Sequence, residues 1–539
     1  MKKTVGLLFS LVALVNLAFS QGYEIKVKIN GLKNVPVILG HYFETKMIPD
    51  DTARLDNNGQ GVFKKSKPLP GGMYLVYMPN RTYFDILISD NQKFSFENDT
   101  TDYVNRAKFT NDKQNQVFFD YQKFIIKRQK ESKDIREKMK DSTINEKVKK
   151  DYGDKLTKID SDVKVEMDKV INENPTLFLS TFLKATREVE IPQTLPDDKK
   201  YYWYKDHFFD NFDVSDCRLL RTPLYDPKIK TYIQKVIPQM PDSIIPYVDM
   251  LIKKSRACDE MFRYMLITLF NEYASSNVMG MDAVYVHIAE KYYINEATWS
   301  DKKFIDELKE KIPKKKPLLI GKKLPDNKFL LVPYDYLMKS LTDSTAMKNY
   351  FYGDYINVYD VQSKYFVLIF WESDCSHCQA AMPVLHRIYN RLKSKGLEVM
   401  AVHMLSSEEG KRKWCKFVKK ENLDGWLNVW DPAYVTKYKD KYDVSSTPVV
   451  YMTDKDKKII AKRIGVEECE KICIGMMLEE KLGTATGKEK LNIMKDLAKS
   501  YPQEKEGLKA MKDVYDRGLV GDEKTEMDVF LDKLIDAAK

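Results

Sequence analysis

The chain has 539 residues, enough at about 150 per domain for three or four domains with cores of their own. Hydrophobic residues make up 43% and charged residues 31%, and mean hydropathy is −0.48, which excludes a membrane channel and a disordered chain. The net charge of +10 (+8 without Lys2 and Lys3) is too dilute to argue for nucleic-acid binding, and seven cysteines are too few for a disulfide-built scaffold.

Residues 1–20 read as a secretory signal peptide. Lys2 and Lys3 form its basic start, Val5–Ala18 is mostly apolar, and Ala18 and Ser20 are the small residues before cleavage ahead of Gln21. A retained anchor is the competing reading, and the apolar run is short for one. No cysteine follows the cleavage point to carry a lipid, and no later run is apolar for long enough to span a bilayer. The mature protein is expected outside the cytoplasm, where disulfides persist.

Residues 21–110 read as a small β-sandwich-like domain. Tyr23–Ile29 alternates apolar and charged residues, as a half-buried strand does. Met73–Met78, Phe84–Ile88 and Lys93–Phe96 are further strand-like runs. Turn residues part them at Asp56-Asn57-Asn58-Gly59, Pro70-Gly71-Gly72 and Pro79-Asn80. Residues 111–312 read as an α-helical domain: Val117, Phe118, Tyr121, Phe124 and Ile125 recur at helical spacing, and a charged stretch to Lys169 reads as a solvated face. Asn174-Pro175 reads as a helix start ahead of Leu177–Ala185. Tyr201-Tyr202-Trp203-Tyr204, with His207, Phe208 and Phe209, reads as packing between helices rather than a ligand groove. His207 and His287 have no metal-ligand spacing.

Pro313-Lys314-Lys315-Lys316-Pro317 reads as the start of a linker into an α/β domain, residues 313–484. Its strands are expected at Phe366–Trp371, Leu397–Met404, Val449–Met452 and Lys458–Ile464, with helices from Ser376 and through Trp414. Residues 485–539, with Leu508, Met511 and Tyr515 at helical spacing, read as a helical tail.

The chemistry sits between Tyr365 and Cys378. Tyr365–Trp371 is a continuous apolar run that reads as a buried strand. Glu372-Ser373-Asp374 makes a short polar turn. Cys375-Ser376-His377-Cys378 then opens an amphipathic helix with Met382, Leu385, Ile388, Tyr389 and Leu392 on its apolar face, and Pro383 inside it predicts a kink. A cysteine in a helix's first turn meets free N–H groups and the positive end of the dipole, which lower its thiol pKa. Cys375 is therefore the candidate nucleophile and Cys378, one turn deeper, the candidate resolving thiol. His377 is a candidate to favour the Cys375 thiolate when protonated. Ser446-Thr447-Pro448 precedes the strand Val449–Met452, a place where proline is allowed and X–Pro can be cis.

Trp371-x-x-x-Cys375-Ser376-His377-Cys378, Pro383 and Thr447-Pro448, with the lead-in Ile320-Gly321-x-x-Leu324-Pro325-Asp326, resemble the TlpA/ResA-like branch of thioredoxin-fold proteins over residues 317–480. The upstream region resembles the paired β and helical accessory domains of exported Bacteroidetes thioredoxin-like proteins. The resemblance implies a thiol–disulfide oxidoreductase of a Gram-negative periplasm or envelope, without cofactor or metal. It also implies protein substrates with thiols or disulfides and an envelope redox partner. A cis Thr447–Pro448 bond would dock the substrate backbone beside Cys375, with Trp371 in the same binding region. Two positions depart from the family: Ile369 stands where thioredoxins bury an acid, and Ala381 where the ResA-like branch has a glutamate. Asp374 directly before Cys375 would oppose its thiolate.

Other readings stand beside this one. The pair could be a structural disulfide or part of a zinc site, although nothing nearby completes four ligands. Haem attachment would need histidine where Gln379 stands. A peroxiredoxin-like peroxidase would need other residues upstream than Glu372. At the scale of the whole chain, the alternative is an envelope binding or scaffold protein with a vestigial redox domain. Cys469 and Cys473 are one helical turn apart and read as buried thiols, Cys415 reads as helix packing, and Cys217 and Cys258 could pair.

Overall fold

The computed structural model describes residues 22–141, 144–343, 353–483, 485–516, 519 and 521–538; the expected signal at 1–20 lies outside the described residues. The protein is multidomain, with an N-terminal β-sandwich-like part, a helical middle part and a C-terminal α/β thioredoxin fold followed by helices. It divides into two compact units, Met1–Thr268 and Leu269–Lys539.

In the first unit, strands β1 (Tyr23–Asn30), β2 (Pro36–Phe43), β3 (Lys46–Arg54), β4 (Gln60–Lys65), β5 (Gly72–Tyr77), β6 (Tyr83–Ile88), β7 (Lys93–Asp99) and β8 (Lys108–Thr110) form two four-stranded sheets, ordered β4-β1-β7-β8 and β3-β2-β5-β6. The alternation in β1 puts Tyr23, Ile25, Val27 and Ile29 in the core. Asn115, in the Lys113–Met139 helix, ties helix to sheet: its side chain accepts from the Leu87 N–H at 2.7 Å and donates to the Leu87 carbonyl at 2.8 Å. Cys217 and Cys258, 41 residues apart, are disulfide-bonded.

Two expectations in this unit need correction. Asn174 ends the helix Glu146–Glu173 instead of starting the next one. Its amide donates back to the Val170 carbonyl at 3.0 Å, and the following helix begins at Phe178. Tyr201 and Tyr202 are 43% and 61% exposed, and their helix, Asp197–His207, buries none of its residues fully, whereas Phe208 just after it is buried.

The second unit centres on a seven-stranded sheet of β9 (Lys328–Leu331), β10 (Tyr355–Asn357), β11 (Tyr365–Trp371), β12 (Leu397–His403), β13 (Leu427–Trp430), β14 (Val449–Thr453) and β15 (Ile459–Lys462), ordered β10-β9-β13-β12-β11-β14-β15. β11, β12 and β13 are parallel, and β14 runs antiparallel to β11. Every residue of β11 is buried because both faces are covered. Tyr365, Val367, Ile369 and Trp371 pack under the helices Ser376–Leu392, Glu408–Lys420 and Val466–Leu482. Phe366, Leu368 and Phe370 point the other way, towards Phe329, Tyr438 and Tyr442. The tail helices add Leu491, Met494, Met511, Tyr515 and Leu531 to the first of these layers, so they are part of its core.

The Pro313–Lys315 stretch, expected in a linker, is the last turn of the helix Lys302–Lys315. Leu308 and Ile312 are buried one turn apart, and that anchorage outweighs the hydrogen bond lost at Pro313. Among the described residues, no helix is long and apolar enough to cross a membrane.

Candidate active site

The apolar run of β11 carries the chain to the C-terminal edge of the parallel strands, the edge where open α/β sheets place their sites. Polar Glu372 to Asp374 then turn it. Cys375 takes the N-cap position of the Ser376–Leu392 helix, with extended backbone (φ −83°, ψ 122°), and the backbone N–H groups of His377 and Cys378 favour its thiolate. The turn is closed by the Cys375 N–H donating to the Glu372 carbonyl at 3.3 Å and the Gln379 N–H donating to the Cys375 carbonyl at 2.9 Å.

From the other side comes the loop before β14. The Thr447–Pro448 bond is cis. The Cys375 thiol donates to the Thr447 carbonyl at 3.5 Å, across 72 positions of sequence. Cys375, Cys378 and Thr447 therefore meet in space, with Pro448 half-buried beside them.

The two thiols differ in exposure and acidity. Cys375 is partly exposed and Cys378 buried, and both are free thiols. Burial works against the Cys375 thiolate, but hydrogen bonds from the Thr447 side chain, the Cys378 backbone and thiol, and the His377 backbone outweigh it and hold its pKa below the ordinary thiol value. Burial pushes Cys378 up to about 12, against a smaller opposing contribution from the Glu372 backbone.

The structure places a thioredoxin fold around a dithiol whose outer sulfur is the acidic one. Sequence comparison agrees, since residues 362–459 match the family described as thioredoxin-like. The C-terminal domain belongs to the thioredoxin-like family. Upstream, residues 23–118 and 126–314 match domains of unknown function, DUF4369 and DUF5106. The thioredoxin-like domain is 31% identical over 120 residues to the thiol-disulfide oxidoreductase ResA of a Bacillus cereus strain, a match covering 22% of this chain and 66% of that protein. It is 28% identical over 123 residues to the protein of the same name from Bacillus anthracis, again with 22% and 66% coverage. Among solved structures, a domain of a possible thiol-disulfide isomerase from Cytophaga hutchinsonii is 36% identical, with 31% of this chain and 98% of that chain covered and a TM-score of 0.25. A thioredoxin-like protein from Bacteroides caccae is 18% identical, with 53% and 97% covered and a TM-score of 0.39.

Other expected residues of the thioredoxin-like site fall as follows. His377 is exposed, and its backbone N–H is among the groups that favour the Cys375 thiolate. Trp371 is fully buried, edge-on to His403 and tilted against Phe417. Asp374 does not act on Cys375 unopposed: Lys413, from the Glu408–Lys420 helix, sits 3.3 Å from its carboxylate. Lys413 lies 39 positions away and carries no motif, so only the packing of that helix reveals it. Cys415 and Cys469 are buried with pKa values pushed up by burial to about 11 and about 12, and Cys473 is pushed up for the same reason. Among the described residues, no group of three or more His, Cys, Asp or Glu could hold a metal ion.

Proposed function

We propose that this protein is an exported thiol–disulfide oxidoreductase acting on protein thiols and disulfides, with residues 313–484 as its catalytic domain. The observation that carries this reading is the unequal pair: a partly exposed, acidified Cys375 and a buried, high-pKa Cys378, both against Thr447. In the reducing direction the Cys375 thiolate attacks a substrate disulfide sulfur. That S–S bond breaks, one substrate thiolate leaves, and a mixed disulfide forms. Cys378, losing its proton to water, attacks the Cys375 sulfur, releases the second substrate thiolate and leaves Cys375–Cys378 oxidised. Two electrons have moved to the substrate, and a thiol donor restores the dithiol. The half-buried Thr447–Pro448 edge lies where a substrate backbone would dock. The Cys217–Cys258 disulfide and the signal-like start support an oxidising compartment outside the cytoplasm.

Trapping tests this. Cys378→Ser removes the resolving thiol, so covalent adducts on Cys375 should accumulate in the exported fraction and disappear in Cys375→Ser/Cys378→Ser. The wild type should also catalyse insulin reduction by dithiothreitol. No Cys375-dependent adducts and no insulin reduction would favour the scaffold reading.

A further inference from the structure

The turn that carries Cys375 is held from below by a residue with no part in the exchange steps. His403 ends β12 directly opposite Trp371 in the parallel register and is fully buried. Its ring stacks on Trp414, with centroids 4.6 Å apart and planes 7° from parallel. The Trp371 ring meets it edge-on at 5.2 Å. Between these two rings its Nε2 reaches Ser373, two residues before Cys375. The Ser373 N–H points to that nitrogen at 3.4 Å, and the Ser373 hydroxyl lies 3.1 Å from it.

In this geometry Nε2 accepts from the Ser373 N–H, as a neutral imidazole can, while among the described residues no hydrogen-bond partner meets the buried Nδ1. Burial agrees: it pushes the imidazole pKa down to about 3, with the Leu405 backbone opposing. The remaining polar group of Ser373 is also engaged, because its carbonyl accepts from the Gln379 side chain at 2.9 Å. Gln379 stands one turn into the dithiol helix. Ser373, only 3% exposed, is thus gripped by N–H, hydroxyl and carbonyl at once. Each grip fixes the turn relative to the helix start that acidifies Cys375.

We infer that His403 is a positioning residue for the dithiol: by accepting from Ser373 it sets the turn so that the N–H groups of His377 and Cys378 aim at the Cys375 sulfur. The inference depends on Cys375 being the nucleophile of the proposed reaction. Hydrogen bonds weaken steeply with misalignment, so a small rotation of this turn is enough to lose thiolate stabilisation.

The test uses the full chain. His403→Phe keeps an aromatic ring on Trp414 and removes the acceptor, leaving a buried N–H unpaired. Its Cys375 alkylation midpoint should move up towards the free-thiol value, and insulin reduction at neutral pH should fall severalfold with the thiolate fraction. His403→Gln offers a neutral acceptor again and should recover part of both, which a purely steric role of the ring would not. If His403→Phe does not fold, Ser373→Ala carries the test, with a smaller upward midpoint shift expected. A depressed wild-type midpoint that stays unchanged in the folded variants overturns the inference alone. A wild-type Cys375 that titrates as a free thiol overturns the dithiol reading and the inference with it.

Discussion

At Cys375 the sulfur faces the N–H groups of a helix start; at Cys378 the same atom type faces the core. Lowering a thiol pKa moves thiolate formation to lower pH, whereas the raised value at Cys378 keeps that group protonated until about pH 12. Iodoacetamide modification followed by mass spectrometry should therefore give Cys375 a half-maximal rate below pH 8.5, about the free-thiol value. Cys378 should stay nearly unreactive through the neutral range. Equal rates at pH 7 would contradict the assignment. Cys375 and Cys378 were legible because their spacing and helix-start position are local. Lys413, Ser373 and His403 were not legible as site residues. Lys413 meets Asp374 through a packed helix and His403 meets Ser373 through strand register, over 39 and 30 positions respectively.

The dithiol helix shows the same division between local and distant information. Its apolar face, Met382, Leu385, Ile388, Tyr389 and Leu392, is buried as the periodicity requires. The periodicity gives no hint that Arg391 is buried too. Its guanidinium grips Glu470, in the Val466–Leu482 helix, through two bonds of 2.7 Å, and the Tyr501 hydroxyl donates to the same carboxylate at 2.7 Å. A third bond reaches Glu504 at 3.0 Å. Arg391→Ala would leave a buried carboxylate facing one hydroxyl, and should cost about 3–5 kcal/mol by chemical denaturation followed through tryptophan fluorescence. Adding Glu470→Gln should recover part of the loss, because the stranded charge is then gone. Asn174 and Pro313 make the converse point. Both carry strong local punctuation, yet the helix boundaries follow what the neighbouring turns bury and bond.

Over the whole molecule, alternation of strand and helix patterns was enough to expose the α/β architecture, since β11, β12 and β14 are apolar on both faces. β3 was not legible: most of Lys46–Arg54 is exposed, and its partner β2 rather than its own pattern makes it a strand. The Cys217–Cys258 bond was left open by the sequence for a related reason, since pairing depends on where two distant turns come to rest. Closing a loop of that length stabilises a fold by about 2–4 kcal/mol. Cys217→Ser/Cys258→Ser should accordingly lower the unfolding temperature of the full chain and abolish its sensitivity to added reductant, with the Cys375 alkylation profile unchanged. A further consequence concerns self-compatibility. Electrons flow between dithiol and disulfide according to reduction potential, and thioredoxin-fold dithiols span about −270 to −120 mV while lasting structural disulfides lie below about −300 mV. Cys375–Cys378 must stand above Cys217–Cys258 on that scale, or each reduced molecule would dismantle the N-terminal unit of another copy.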